Sequence, residues 1–220
     1  MNCDSKSREA QGFTAVKMNG TEDLGWLDSP SALDDCVERL KAVKSLGMDA
    51  GIDFHGRVHK PMAKQLARLL EPHRPLFIEE PLLSEHPEGI KEISRLTSTP
   101  IALGERLHSR WDVRPFLEAG AVDILQPDIS HIGGISEMKR IAAMAETYDV
   151  AIAPHCPLAA VALAANVQVM ASTANFAIRR WPFSSFPLPD FLLISNQIPH
   201  SIHIESKLIY CRRDESWDSL

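Results

Sequence analysis

The 220-residue chain lacks several features that would each have fixed its class. No apolar run approaches the roughly 20 residues needed to span a bilayer. The polar start MNCDSKSREAQG has no apolar centre of the kind a secretory signal requires. The four cysteines (Cys3, Cys36, Cys156 and Cys211) lie far apart and form no CxxC pair, which fits reduced thiols better than a disulfide frame. Basic charge is not in excess: 23 Lys and Arg face 29 Asp and Glu, a formal charge of −6. That balance argues against nucleic acid and anionic membrane as partners. No glycine-rich phosphate loop follows the first strands, which counts against a nucleotide-binding sheet. The expectation is a cytoplasmic protein with one large domain and a sizeable core.

What is present is an alternation of strand and helix patterns. FTAVKM (13–18) reads as a strand. SALDDCVERLKAVKSLG (31–47) reads as a helix, with Ser31 as its cap, Leu33, Val37, Leu40 and Val43 at helical spacing, and Gly47 as its stop. MDAGIDF, PLFIEE, PIALGE, AVDILQP and VAIAP follow as strands. They alternate with helices over 61–72, 87–98, 109–120, 134–149 and 158–172, and ANFAI (174–178) begins one more strand. Repeated β-α units with short connections force a parallel sheet covered by helices. With the phosphate loop missing, a (β/α)8 TIM-type barrel is favoured over an open sheet.

Three of these strands end in acid: Asp53 after GI, Glu79 in LFIEE and Glu105 in IALGE. Both intervals are 26 residues (79 − 53 and 105 − 79), one β-α unit each. The three carboxylates therefore converge at the C-terminal rim, where barrel enzymes place their chemistry. Each alone reads equally well as a helix cap or a surface charge. Together in a small space they require a cation, and oxygen ligands alone select a hard ion such as Mg²⁺.

In the stretch GIDFHGR (51–57), extended backbone would put Asp53 and His55 on one face and Phe54 on the other. His155 follows VAIAP at another strand end, and Asp128 of LQPDIS would neighbour it. A carboxylate beside an imidazole fixes its tautomer and raises its basicity, as a general base requires. His108 and His131 also follow strands and are candidates for substrate contact, whereas His59, His73, His86, His200 and His203 read as surface or packing residues. A cation on a substrate carboxylate, one histidine removing the neighbouring proton and another protonating a leaving hydroxyl would convert a polyhydroxy acid to a 2-keto-3-deoxy acid.

VDILQPDISHIGGISE, FIEEP, IALGER, DFHGR and APHCPL together resemble the enolase superfamily, in its mandelate racemase/muconate lactonizing enzyme-like branch and within it the galactonate dehydratase group. The resemblance runs from about residue 11 to 178. It implies an Mg²⁺-dependent carbon-oxygen lyase acting on an aldonic acid, D-galactonate to 2-keto-3-deoxygalactonate before others, and full-length relatives that form symmetric homo-oligomers. It implies metal binding by Asp53, Glu79 and Glu105, with His55 expelling the 3-hydroxyl and His155, supported by Asp128, as base for the α-proton.

The sequence also departs from that pattern. A capping domain and the first barrel strand have no counterpart, so an incomplete barrel is expected, with its eighth strand disrupted. Arg179 and Arg180 stand where the family has Gln-Glu, and the following residues do not resemble it. The expected organisation is an N-terminal tail over 1–12, a partial barrel over 13–178 and an irregular tail over 179–220, the last consistent with a shifted frame or retained intron. Two other readings stay open: a fragment without catalysis, and another mandelate racemase-type reaction using Lys17 on the first strand.

Overall fold

A computed structural model describes residues 14–157, 160–177, 179–181 and 207–211, the last two stretches by backbone alone. Six β-α units come first. The strands are β1 (Ala15–Asn19), β2 (Asp49–Asp53), β3 (Phe77–Glu79), β4 (Ile101–Leu103), β5 (Ile124–Leu125) and β6 (Ala151–Ile152). The helices after them are α1 (Asp34–Ser45), α2 (Lys60–Leu70), α3 (Pro87–Ser94), α4 (Arg110–Ala119), α5 (Gly134–Glu146) and α6 (Ala160–Met170). Two further strands are β7 (Arg179–Trp181) and β8 (Lys207–Cys211).

All pairings are parallel, in the order β6-β5-β4-β3-β2-β1-β8-β7. Phe176 adds an isolated parallel bridge to Ile152 of β6, and the chain then leads into β7. Backbone pairing thus runs from β6 through β1 to β8 and β7, with the Phe176 bridge on the far side of β6. The second edge of β1 is taken by β8, with Ala15 opposite Leu208 and Met18 opposite Cys211. The remainder of the tail and residues 1–13 lie outside the described residues, as do the first two positions of the helix expected over 158–172.

Sequence and structure differ locally for identifiable reasons. The strand expected at ANFAI is reduced to the Phe176 bridge, because residues 174 and 175 turn rather than extend. Ser31 does not cap α1. Pro30–Leu33 forms a short 3-10 turn instead, in which the Ser29 hydroxyl accepts from Ser31 N–H, and α1 starts at Asp34. The stop at Gly47 has a backbone cause, since its φ of 77° is left-handed and lets Gly47 N–H return to Lys44 O. Trp26 and Leu27, in the loop between β1 and α1, are exposed, and Trp26 stacks on His59 with ring centres 4.0 Å apart.

Period-two alternation gives the strands two working faces. Val16, Met18, Ala50, Ile52, Ile78, Ile101 and Leu103 pack with the apolar stripes of the helices, such as Leu40 and Val43 of α1 and Met62, Leu66 and Leu70 of α2. On the opposite face Ala15, Phe77, Ala102, Ile124 and Ala153 form a second, smaller cluster. Lys17, Gly51 and Phe77 are successive register partners across β1, β2 and β3. Gly51 is needed there, because a Cβ would stand 2.4 Å from Phe77 Cζ and 2.6 Å from Cε2.

The ring of Phe77 is buried and is no flexible tip that could swing away. Gly51→Ala is therefore expected to destabilise the protein by about 1–3 kcal/mol, the usual cost of overpacking. Chemical denaturation measures this, and Phe77→Leu in the same background should recover part of the loss.

Candidate active site

Because every strand is parallel, the C-terminal ends of β1 to β6 share one rim, and the chemistry-bearing side chains gather there. Asp53 and Glu79 are the last residues of β2 and β3 and are paired in register. Both are buried, and so is Lys17 of β1. The Lys17 ammonium contacts both carboxylates, standing 2.7 Å from Asp53 Oδ2 and bonding Glu79 Oε1. The second oxygen of Glu79 accepts from Gln126 Nε2 at 2.9 Å.

His55 lies two residues past Asp53, but the extended alternation does not carry that far. Its φ of 57° turns the chain, and its own N–H donates to Asp53 Oδ1 at 2.8 Å. Phe54 does enter the helix-side core. His55 Nδ1 ends 3.0 Å from Asp53 Oδ2, close enough for charge attraction but off the line of a directed hydrogen bond. Burial alone would raise the Asp53 carboxyl. The Lys17 charge, aided by His55, outweighs it and holds Asp53 well below the usual carboxylate range.

His155, three residues past β6, pairs with Asp128 by a backbone bridge. Its Nδ1 stands 2.8 Å from Asp128 Oδ2 and its Nε2 stands 3.0 Å from Glu105 Oε2. Each ring nitrogen thus faces a carboxylate oxygen. Burial would raise Glu105, but the hydrogen bond and charge of His155 overcome it and bring the group down from 4.5 to about 2. Asp128 is also lowered: the His155 hydrogen bond and Ser130 N–H outweigh its burial.

Two buried residues of this neighbourhood carry no signal in the sequence reading. Gln126 lies within a strand-like apolar run, and Glu80 stands beside the more conspicuous Glu79. Burial pushes the Glu80 carboxyl up to about 7, against the Gly104 N–H it accepts at 3.0 Å, and the negative charges of Glu105 and Glu79 add to the rise. His108 and His131 lie with ring centres 6.1 Å apart, and His131 Nδ1 is 3.3 Å from the Glu105 carbonyl.

Among the described residues, no three His, Cys, Asp or Glu side chains stand as a ready metal cage. Asp53 and Glu79 are engaged by Lys17, and Glu105 is turned to His155. The donor set still has the chemistry of a hard-cation site: it offers carboxylate oxygens from the ends of β2 and β3 and from the turn after β4. Two of these carboxylates are already drawn to one positive charge, the Lys17 ammonium. Mg²⁺ fits those donors if they exchange their present partners. Among the described residues, no helix is long and apolar enough to cross a membrane.

A parallel α/β ring with acids and an Asp-supported histidine on its C-terminal rim defines a class of barrel enzyme folds. Residues 4–206 match the family Enolase C-terminal domain-like, and the chain belongs to that family. The match extends past residue 178 into the tail. Over 167 residues the chain is 53% identical to a D-galactonate dehydratase of Ralstonia pickettii (strain 12J), covering 74% of this chain and 44% of that one. Over 161 residues it is 54% identical to a D-galactonate dehydratase of Variovorax paradoxus (strain S110), covering 72% and 42%. The chain thus spans less than half the length of these relatives. Among solved structures, a mandelate racemase/muconate lactonizing enzyme-like protein from Rubrobacter xylanophilus DSM 9941 superposes with a TM-score of 0.79 at 32% identity, over 83% of this chain and 49% of that one. A mandelate racemase/muconate lactonizing enzyme from Sulfitobacter sp gives 0.77 at 32%, over 84% and 48%.

The lowered Glu105 makes stability depend on acid. A carboxyl held below its unfolded value contributes stability above that value and loses it as pH falls toward the folded one. For Glu105 the window runs from about 4.5 down to about 2. Glu105→Gln should be less stable than the parent at neutral pH and should flatten the stability curve in that window, as urea denaturation at stepped pH would show.

Proposed function

We propose that the rim belongs to an Mg²⁺-dependent dehydratase of a sugar acid, with D-galactonate converted to 2-keto-3-deoxygalactonate as the preferred reaction. The carrying observation is the His155 imidazole, held at Nδ1 by Asp128 and facing the acid cluster with Nε2. Family membership and the identity to D-galactonate dehydratases support the same reading. We place the catalytic part of the barrel within residues 13–178 and the setting in the cytoplasm, with a small aldonate and other copies of the chain as partners.

Asp53, Glu79 and Glu105 would hold the cation. When bound, it would offset negative charge building on the substrate carboxylate as the α-proton leaves. The residues of the chain do the rest. Asp128 keeps the Nδ1 hydrogen of His155, so the proton to be gained goes to Nε2. Nε2 can accept only after Glu105 has turned away, so the acid and the base change partners together. His55, on the turn after β2, gives a proton to the departing 3-hydroxyl, and its backbone contact with Asp53 fixes where the ring stands. Lys17 is held between two carboxylates, which favours an electrostatic role over that of a base in a racemase-type reaction.

The purified protein with Mg²⁺ and a panel of aldonic acids decides the matter, read as formation of a 2-keto-3-deoxy acid. His155→Asn should reduce turnover about 10²–10⁴-fold, the usual worth of a general base, and should stop exchange of the α-proton in deuterated water. His55→Asn should stop elimination while leaving that exchange in place. Absence of keto acid and of exchange from every aldonate would refute the dehydratase reading and leave a barrel without catalysis.

A further inference from the structure

We propose that Glu80, which lies outside the catalytic set, is the positioning residue that holds Glu105 in place on the rim by accepting the Gly104 N–H. The inference rests on the reading of Glu105 as a functional carboxylate. Glu80 has a φ of 43°, a left-handed conformation that costs a non-glycine residue backbone strain. The turn separates neighbours: Glu79 meets Lys17 and Gln126, and Glu80 is directed to the next strand.

Every polar group of Glu80 is used to join rim loops. Its N–H donates to Ala102 O of β4 and its carbonyl accepts from Gly56 N–H, next to His55. Its Oε1 accepts from Gly104 N–H at 3.0 Å, next to Glu105, and its Oε2 accepts from the Ser84 hydroxyl at 3.2 Å. Arg106, on the other side of Glu105, stands 3.9 Å from Glu80 Oε2 and donates to the His55 carbonyl at 3.0 Å. Glu105 is therefore flanked on both sides by residues tied to Glu80. Gly104 itself lies close against the next strand: its φ is 144°, and an added Cβ would stand 2.8 Å from Gln126 N.

A buried acid serving only general stability would lower the melting point without moving Glu105. The His155 ring signal in the NMR spectrum of the metal-free protein separates the two roles, because His155 Nε2 reports the presence of Glu105. In Glu80→Leu the His155 Nε2 signal should leave its parental position. In Glu80→Asp, whose shorter arm cannot reach Gly104, it should do the same, and this variant decides the case should the leucine protein not fold. Glu80→Gln keeps an acceptor oxygen and should keep the signal. Mn²⁺ affinity, followed by electron paramagnetic resonance, should fall about tenfold in the leucine and aspartate variants and stay near parental in glutamine.

An unmoved His155 signal in a folded leucine or aspartate variant would overturn the role given to Glu80. Equal displacement in Glu80→Gln would overturn it too, since charge rather than the Gly104 hydrogen bond would then be responsible. A parent protein that binds no Mn²⁺ would refute the cation reading, while the His155 signal would still decide the part played by Glu80.

Discussion

The buried ammonium of Lys17 between the carboxylates of Asp53 and Glu79 is the contact on which the rim depends. Two ionised acids at adjacent strand ends, both shielded from water, could not coexist without a positive charge among them. Lys17 lies on β1, next to β2, with Gly51 as its register partner. Losing one partner of such a buried group typically costs about 3–5 kcal/mol, through the charge left uncompensated. The same interaction has a functional side. A divalent ion bound here would have to replace or share that attraction.

A second charge cluster lies beside the first, with its own logic. His155 is clasped by Asp128 and Glu105, one on each ring nitrogen. Asp128 serves as a fixed support, anchored by Ser130 N–H and by the bridge between the two strands. On the proposed function Glu105 would be the movable element, leaving Nε2 for a cation. Availability of the base would then be linked to the state of the acid set.

The fold was legible because its cause is local and repeated: helical spacing in Leu33, Val37, Leu40 and Val43, period two in the strands, and Gly or Pro between them. Asp53 and Glu79 were legible because strand ends in parallel register meet at one edge, whereas Glu105 stands two residues beyond β4 and turns to His155. His155 and Asp128 follow from the same rule, and Asp128 is in fact bridged to His155. Other features depend on three-dimensional partners that no spacing encodes. The left-handed turns at His55 and Glu80 occur at residues with side chains, where sequence suggests extension. Gln126 and Glu80 look like parts of a strand and of an acidic pair, yet each spends its side chain on a group from a different β-α unit. The capping expectation at Ser31 failed because the 3-10 turn before α1 places Ser29 at the point where a hydroxyl is useful.

The position of β8 bears on how the molecule is made. β2 follows β1 directly in the chain, whereas β8 can join β1 only after residues 207–211 have been made. Contacts of such wide sequence separation form slowly. The β1–β8 seam would therefore close late, and a sheet with that edge still open is competent to dock onto another chain or a chaperone.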